Sequence, residues 1–286
     1  MAAIRRHHPG ARITLLTTAP FRDFLAACPF ADAVWIDARP PLWNLPAIVA
    51  LARRLRGGCF DRVYDLQTSR RSSAYLRLFG RPRPEWSGIA PGASHPHADP
   101  GRDAMHTLDR QAGQLRMAGI GEVPAPDVGW VADEPLPAGL AGRPFVVLVP
   151  GGSAHRPEKR WPVAAYAALA ARLAARGLVP VVVGTGAERP LAAAVAAAAP
   201  ATVDLTGATT LADLVRLGRR AAASVGNDTG PMHLLAVAGS PATVLFSRAS
   251  DPALCAPRGR KVTILRTDDL ATLTVDAVAA TCPDQE

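Results

Sequence analysis

The chain has few aromatic residues, few lysines and no clustered cysteines. Aromatic side chains make up 5% of its 286 residues, and two of its 32 basic residues are lysine. Single-stranded nucleic-acid sites interleave aromatic with basic side chains, so this composition argues against a nucleic-acid partner. The cysteines are scattered and form no CxxC motif, which excludes a zinc or redox site of that type and predicts reduced thiols at Cys28, Cys59, Cys255 and Cys282.

Long apolar runs are also absent. The alanine-rich stretch 191–199 is too short for a membrane span of about 18 residues and ends at Pro200. The first eight residues, MAAIRRHH, do not have the pattern of a signal peptide, so we predict a cytoplasmic protein. The sequence contains no G-x-S-x-G, P-loop or HExxH motif, which argues against the enzyme classes that those motifs define.

The charge of the chain is strongly positive, with a net charge of +8 and an isoelectric point of about 10.1. A GC-rich genome, which writes arginine for lysine, explains part of this excess. The rest fits an anionic small substrate or an anionic membrane surface better than nucleic acid. A lysine kept against such a bias acts as a compact point charge that arginine does not replace. Lys159 is therefore a candidate phosphate contact.

Apolar runs that predict strands alternate along the whole chain with segments of helical periodicity. In the first half the predicted strands are 12–16, 33–36, 62–65 and 85–88, and the predicted helices are 21–27, 45–55, 72–78 and 104–117. In the second half the predicted strands are 145–149, 179–183, 222–225, 243–246 and 262–265, and the predicted helices are 164–175, 188–198, 211–218, 232–238 and 274–281. Such alternation indicates an α/β fold with parallel sheets.

A proline-rich stretch, 133–144, predicts a linker between two domains, 1–134 and 145–286. Two doubly wound domains would place ligands at the carboxyl ends of their strands. The first domain has an unusual start, because residues 1–8 resemble the last turns of a helix that Pro9 stops. A doubly wound domain normally opens with a central strand. We therefore expect that a strand–helix unit once preceded this helix, and that the first sheet has a gap.

The segment 225–233, VGNDTGPMH, is the strongest functional candidate. It lies between two apolar runs and predicts a strand, a tight turn and the start of a helix. Asp228 is predicted to cap this helix, Gly230 to let a ligand approach the backbone, and Pro231 to occupy the first turn. Backbone N–H groups at such a helix start attract phosphate. The alternative interpretation is a capped helix that buries His233 in the core.

Three further loops follow predicted strands in the second half. In the first, 150–162, Ser153 and Lys159 are candidates to bind phosphate oxygens, although a simple loop with Trp161 in the core fits equally well. In the second, 184–188, Glu188 is a candidate to accept hydrogen bonds from a ribose, or only to complement a helix dipole. In the third, 204–211, Thr210 is predicted to cap a helix with Asp213 three residues later.

These loops, in this order, resemble glycosyltransferase family 9, the ADP-heptose:lipopolysaccharide heptosyltransferases. The resemblance covers nearly the whole chain. Its most specific element is DTGPMH, Asp228 to His233. The other matching segments are PGGS at 150–153, KRWP at 159–162, GAE at 186–188, DLTG at 204–207, PRG at 257–259, FDRVYDLQ at 60–67 and MHTLDR at 105–110.

The resemblance implies a GT-B fold, in which two Rossmann-like domains face each other across a cleft, the first here without its opening strand. It also implies inverting transfer of a heptose, or a related sugar, from an ADP-sugar to the lipopolysaccharide core, with no metal and no cofactor. Peripheral contact with the inner membrane surface would follow from that acceptor. Residues that would bind the donor by this resemblance are Ser153, Lys159, Glu188, Asp228, Thr229, Gly230 and His233, with Lys159, Asp228 and His233 nearest the chemistry.

The family's general base is an aspartate in a Gly-Asp turn after the first strand, and this chain begins beyond that point. Asp65 and Asp109 are the nearest acidic candidates, but neither matches the motif of the base. The leading hypothesis is therefore a heptosyltransferase whose start is lost or misassigned. The alternatives are a nucleotide-sugar-binding homologue without catalysis, an epimerase or hydrolase of GT-B shape, and, least favoured, a Rossmann oxidoreductase.

Overall fold

The computed structural model describes residues 1–137, 139–153 and 155–284. The chain divides into two compact units, Met1–Ala125 and Pro126–Glu286. Both units consist of parallel strands connected by helices, which confirms the α/β class predicted from the alternation of apolar patterns.

The first unit contains short strands and mostly short helices. Its strands are β1 (Thr14–Thr17), β2 (Ala33–Ile36), β3 (Arg62–Tyr64), β4 (Glu85–Gly88) and β5 (His95–Pro96). Its helices are α1 (Ala2–His7), α2 (Arg22–Ala26), α3 (Leu45–Gly57), α4 (Arg70–Ala74) and α5 (Thr107–Met117). Single 3₁₀ turns precede α2, follow α4 and precede α5.

The strands of the first unit form two separate parallel sheets. β1 pairs with β2, and β3, β4 and β5 form a second sheet in that order. Within the described residues no strand pairs with both β1 and β3, so these strands do not form one continuous sheet. The first helix is nevertheless well packed, because Ala3 and Ile4 are buried against Leu115 and Ile120. A separate apolar cluster is centred on Leu51, Leu55, Tyr75, Leu76, Phe79 and Trp86.

The second unit has six strands, of which the four central ones are fully buried. The six strands are β6 (Phe145–Val149), β7 (Val179–Val182), β8 (Val203–Asp204), β9 (Ala223–Asn227), β10 (Ala242–Phe246) and β11 (Val262–Arg266). The helices are α6 (Val163–Ala175), α7 (Arg189–Ala198), α8 (Leu211–Arg220), α9 (Gly230–Val237), α10 (Pro252–Cys255) and α11 (Val275–Ala279).

All six of these strands are parallel in one sheet, in the order β11-β10-β9-β6-β7-β8. The chain starts at β6, moves outward through β7 to β8, and then crosses to β9 on the other side of β6. The strand order therefore reverses between β6 and β9. In open α/β sheets a crevice forms outside the carboxyl ends of the strands at this topological switch point. Any ligand site of this unit is expected there.

The core of the second unit lies on both faces of the sheet. Alternate residues of β6 point to opposite layers, as the period of two in a strand requires. Val146 and Leu148 pack with Leu169 and Leu173 of α6, whereas Val147 packs in the layer that contains α8 and α9. Burial on both faces explains why the strands are continuous apolar runs without alternating polar residues.

Residues 128–134, at the start of the second unit, are bound by three arginines of α8. Arg219 donates to the carbonyl groups of Val128 and Val131, at 2.8 Å each. Arg216 and Arg220 bind further main-chain and acidic groups of the same stretch. The first two residues of the stretch predicted as a linker, Asp133 and Glu134, are therefore bound to a helix. In the described part of the chain, no helix combines the length and apolarity that crossing a membrane requires.

Candidate functional site

The four loops singled out in the sequence follow β6, β7, β8 and β9. These strands are neighbours in the sheet, and their carboxyl ends meet at one edge. The loop after β8 contacts the loop after β7, since a Cβ on Gly207 would lie 3.3 Å from Cα of Gly186. Gly207 also has a positive φ of 72°, so this turn favours glycine for two reasons. The loops thus converge around the switch point between β6 and β9.

Asn227, the last residue of β9, joins three of the segments that surround this point. Its Nδ2 donates to the carbonyl groups of Pro150, at 2.9 Å, and Gly151, at 3.0 Å. Its Oδ1 accepts from the backbone N–H of Trp161, at 2.9 Å, and from the hydroxyl of Tyr166, at 3.1 Å. Asn227 is 1% exposed, so its full hydrogen-bonding capacity is met inside the protein.

The tyrosine that contacts Asn227 is completely buried. Burial raises the pKa of Tyr166 well above its ordinary range, which keeps the hydroxyl neutral and able to donate. Trp161, predicted as a core residue, is buried against Tyr166, with ring centroids 4.9 Å apart. The pair fixes the chain immediately after Lys159. The roles of Asn227 and Tyr166 are not visible in the sequence, because they depend on contacts between residues more than 60 positions apart.

The charged pair of the site is Lys159 and Asp228. Lys159 Nζ lies 2.7 Å from Asp228 Oδ2, and the two side chains are 18% and 9% exposed. Lys159 belongs to a short 3₁₀ turn, Pro157–Lys159, after β6, whereas Asp228 directly follows β9. The pair therefore spans the switch point. It places a cation and an anion beside the start of α9, where phosphate oxygens would be attracted.

The prediction that Asp228 caps this helix is wrong. α9 begins at Gly230, its N-cap is Thr229, and the N-cap makes no side-chain hydrogen bond. The carboxylate of Asp228 contacts Lys159 and does not cap the helix, because the strand continues through Asn227 and moves the helix start one residue onward. Pro231 lies in the first turn, as predicted. A Cβ at Gly230 would meet no protein atom, so the backbone there faces open space.

Met232 and His233, which are neighbours on α9, differ in burial. Met232 is fully buried, and its sulfur would lie 2.6 Å from a Cβ placed on Gly226. Glycine at position 226 is therefore what lets α9 pack closely on β9. His233 is exposed, so the alternative in which it packs in the core is wrong.

Glu188 closes the turn after β7. Its Oε2 accepts from the backbone N–H of Thr185 at 2.7 Å and from the Thr185 hydroxyl, while that hydroxyl accepts from the N–H of Ala187. This capping box supports the structural interpretation of Glu188. The same side chain also lies against the loop after β6, since a Cβ on Gly151 would lie 2.7 Å from Glu188 Cγ. Glu188 is thus close to the loop that leads to Ser153 and Lys159.

Two other predicted residues have local partners. Ser153 is exposed, and its hydroxyl lies 3.3 Å from Nε2 of His155. Thr210 caps α8 in a capping box with Asp213, as the sequence predicts. Cys255 lies near the charged pair, where burial, and then the charge of Asp228, raises the pKa of its thiol.

The acidic candidates of the first unit have different surroundings. Asp65 is buried directly after β3 and accepts from the N–H of Thr68 and the hydroxyl of Ser73, each at 3.0 Å. Asp109 is exposed on the first turns of α5. Near Asp65, after β5, lies His97, which is 4% exposed and has no hydrogen-bond partner for either ring nitrogen among the described residues. Among these residues there is also no group of three or more side chains suited to hold a metal.

Comparisons with solved structures define the fold class. The structure of E. coli ADP-heptose LPS heptosyltransferase II superposes with a TM-score of 0.76 at 21% identity, covering 98% of this chain and 91% of that one. A glycosyl transferase family 9 protein from Veillonella parvula superposes with a TM-score of 0.81 at 18% identity, covering 98% and 89%. The fold is therefore GT-B, made of Rossmann-like units, as predicted.

The family follows from the sequence comparisons. Residues 103–279, more than half of the chain, match the family model described as glycosyltransferase family 9 (heptosyltransferase). Lipooligosaccharide heptosyltransferase 2 of Haemophilus influenzae is 33% identical over 132 residues, which are 44% of this chain and 38% of that protein. The matched segment thus spans less than half of that relative. The chain belongs to glycosyltransferase family 9, and the predicted resemblance is confirmed.

Proposed function

We propose that the protein transfers a heptose from ADP-heptose to a lipopolysaccharide core acceptor, with inversion and without a metal. The observation that carries this proposal is the Lys159–Asp228 pair beside the start of α9, in a chain of glycosyltransferase family 9. The Haemophilus relative acts, by its name, on lipooligosaccharide. An acceptor of the same class accounts for the basic character of this chain.

The chemistry requires stabilisation of a leaving diphosphate. As the bond from the sugar to ADP breaks, negative charge develops on the phosphate oxygens. Lys159 and the backbone N–H groups at the start of α9 would stabilise that charge, which is the task a metal performs in other transferases. Asp228 would hold Lys159 in position and hydrogen-bond to the sugar or the diphosphate. Ser153, Thr229, Gly230 and His233 border the same start of α9 or the loop after β6, and would complete the contacts to the donor.

Glu188 would bind the ribose of the nucleotide. One of its oxygens, Oε2, is already used by the capping box with Thr185, while Oε1 lies on the side of Gly151. A carboxylate fixed in this way loses little conformational freedom when it accepts a hydrogen bond from a ribose hydroxyl. The capping and binding roles are therefore compatible.

The acceptor would be deprotonated by a general base that we do not assign to a residue of this chain. Asp65 is engaged by two donors, which does not favour a role as base. We propose a cytoplasmic enzyme that meets its acceptor peripherally at the inner membrane. The second candidate function is that of a homologue that binds the donor without catalysis. The one observation that favours it is that no residue is assigned as the general base.

A transfer assay separates these two functions. The purified chain is incubated with ADP-heptose and heptose-free lipopolysaccharide in EDTA, and products are followed by mass spectrometry and by the anomeric proton signal. The proposal predicts released ADP and an acceptor that gains one heptose of inverted configuration. Donor binding without transfer would support the binding homologue, and dependence on an added divalent cation would contradict the metal-free mechanism.

A further inference from the structure

An exposed apolar surface lies at the carboxyl ends of β1 and β2 in the first unit. Leu42 and Trp43 are 81% and 82% exposed, and Leu45 and Val49 of α3 are also exposed. Leu45 and Val49 are four residues apart, so they share one face of the helix. Phe21, exposed in the 3₁₀ turn after β1, emerges at the same edge because β1 and β2 pair in parallel. We call these five residues the Trp43 surface.

The loop that carries Leu42 and Trp43 is fixed on both sides. Before them, Asp37 accepts a hydrogen bond of 2.6 Å from the buried hydroxyl of Tyr75, and Arg71 donates to the carbonyl group of Pro40 at 3.0 Å. After them, Asn44 caps α3 by accepting from the N–H of Ala47 at 3.2 Å. The exposure of Trp43 is therefore imposed by an anchored backbone and does not reflect a loose loop.

Basic side chains accompany the Trp43 surface. Arg22 follows Phe21, Arg39 precedes the prolines of the loop, and Arg53 lies one turn beyond Val49. All three are exposed, and none forms an ion pair with another described residue. The whole first unit shares this charge. Residues 1–125 have 17 basic and 10 acidic side chains, a net charge of +7, whereas residues 126–286 have 15 and 14, a net charge of +1.

We propose that the Trp43 surface docks on the anionic surface of a lipid bilayer. An exposed tryptophan next to leucines and arginines is typical of membrane interfaces, where the ring lies at headgroup level and the guanidinium groups meet lipid phosphates. A second copy of the chain is a poorer occupant. A two-fold contact would bring the same arginines of both copies together, and the exposed Asp23 beside Arg22 would leave most of that positive charge without compensating anions. Bound lipid supplies those anions.

This inference deepens the proposed function, because it assigns the surface by which the enzyme would approach an acceptor in the membrane. Several weak contacts act together at such a surface. Each arginine near an anionic bilayer adds electrostatic attraction to lipid phosphates, and insertion of Trp43 and Leu42 adds the burial of apolar surface. Binding should therefore require anionic lipid and weaken as salt increases.

Co-sedimentation with vesicles tests the proposal. Vesicles of phosphatidylcholine alone are compared with vesicles of phosphatidylcholine and phosphatidylglycerol in equal parts. The full chain should bind the anionic vesicles, and Leu42→Ser with Trp43→Ser should lower the partition coefficient about tenfold or more. Met117→Ser, at a site that is 48% exposed on α5, is the matched apolar control. Arg39→Glu should weaken binding, whereas Arg260→Glu in the second unit should not.

A spectroscopic measurement is independent of sedimentation. Trp43→Phe keeps an apolar ring at the surface, so this variant should still bind vesicles but lose most of the blue shift in tryptophan emission that the wild-type chain shows on binding. Equal binding by the wild type and the Leu42/Trp43 double variant would overturn the proposal. A dimer that dissociates in the same variant would assign the surface to a second copy and would also overturn it. ADP binding without vesicles should be unchanged in every variant, so loss of the proposed function is detected separately.

Discussion

Lys159 Nζ lies 2.7 Å from Oδ2 of Asp228, a residue 69 positions further along the chain. The pair connects the loop after β6 with the turn after β9, where the strand order of the second unit reverses. Before a donor binds, each charge is compensated by the other. A diphosphate that enters would share Lys159 with Asp228, so the carboxylate would limit how tightly free ADP is held and would orient the lysine for the reaction.

Asp228→Asn removes the charge of this carboxylate while keeping its shape. We expect heptosyl transfer to fall about 10- to 100-fold, because a misplaced catalytic group can lose that much rate. The melting temperature should change little compared with this loss of rate. Steady-state kinetics and thermal unfolding of the same preparations provide the measurement. Unchanged transfer activity together with an unchanged melting temperature would refute a role of the Asp228 carboxylate in the reaction.

Asn227→Ala tests how the segments around the switch point are held together. The substitution removes four hydrogen bonds and leaves the buried backbone N–H of Trp161 without its acceptor, whereas the hydroxyl of Tyr166 can still donate to the carbonyl group of Val149. Unfolding in urea should show a loss of about 2–4 kcal/mol, since each unsatisfied buried group costs about 1–3 kcal/mol.

Tyr166→Phe is the matched control, because it removes one of these contacts and should cost about 1 kcal/mol. Equal losses for the two variants would contradict the role of Asn227 as the central hydrogen-bonding residue. Donor affinity should also fall more in Asn227→Ala than in Tyr166→Phe, since only the former releases the carbonyl groups of Pro150 and Gly151.

Two similar capping boxes allow the roles of Glu188 to be separated. Glu188→Ala and Asp213→Ala each disrupt one box, with Thr185 and Thr210 respectively. Each should lower stability by about 1 kcal/mol. If Glu188 also binds the ribose, only Glu188→Ala should weaken ADP binding, by about tenfold. Calorimetric titration of ADP into both variants measures this difference. An equal effect of the two substitutions on ADP affinity would show that Glu188 acts only as a capping residue.

The stability of the first unit should depend on pH through His97. Burial, and then the charge of Arg102, lowers the pKa of this imidazole below its ordinary value of 6.5. The unfolded chain therefore takes up the proton first as pH falls. The stabilising contribution of neutral His97 is complete above pH 6.5 and is lost as pH falls through its lowered pKa.

Urea unfolding between pH 8 and pH 5 measures this dependence. His97→Leu should reduce the loss of stability at low pH. The pKa of His8 is lowered as well, by burial and then by His7, so part of the slope should persist in His97→Leu. If the free energy of unfolding depends on pH identically in the wild type and in His97→Leu, His97 is not the group responsible for this dependence.

The sequence predicted the fold more completely than the site. Buried parallel strands are continuous apolar runs, so the strand 145–149 was located to the residue. The two-residue strands β5 and β8 were not found, because so short a segment has no periodicity. Helix ends shifted by a few residues where 3₁₀ turns continue or precede a helix, as after α4 at Tyr75–Leu78.

For the site, the motifs located the loops but not the contacts between them. Lys159 and Asp228 were both identified, yet their pairing was not, since nothing local connects residues so far apart in sequence. The N-cap error at Asp228 has the same origin, because the local pattern of an aspartate before a helix outweighed a tertiary ion pair. The Trp43 surface was also missed, because exposure of an apolar run is a property of the folded unit.

The most direct test of the account is calorimetric titration of ADP into the chain in EDTA. Wild type and Lys261→Met, which changes the exposed second lysine, should bind ADP alike, and Lys159→Met should bind it about 10- to 100-fold more weakly, since a hydrogen bond to a charged group contributes about 1.5–3 kcal/mol. Equal ADP affinity in Lys159→Met and Lys261→Met would contradict the assignment of the switch point as the donor site.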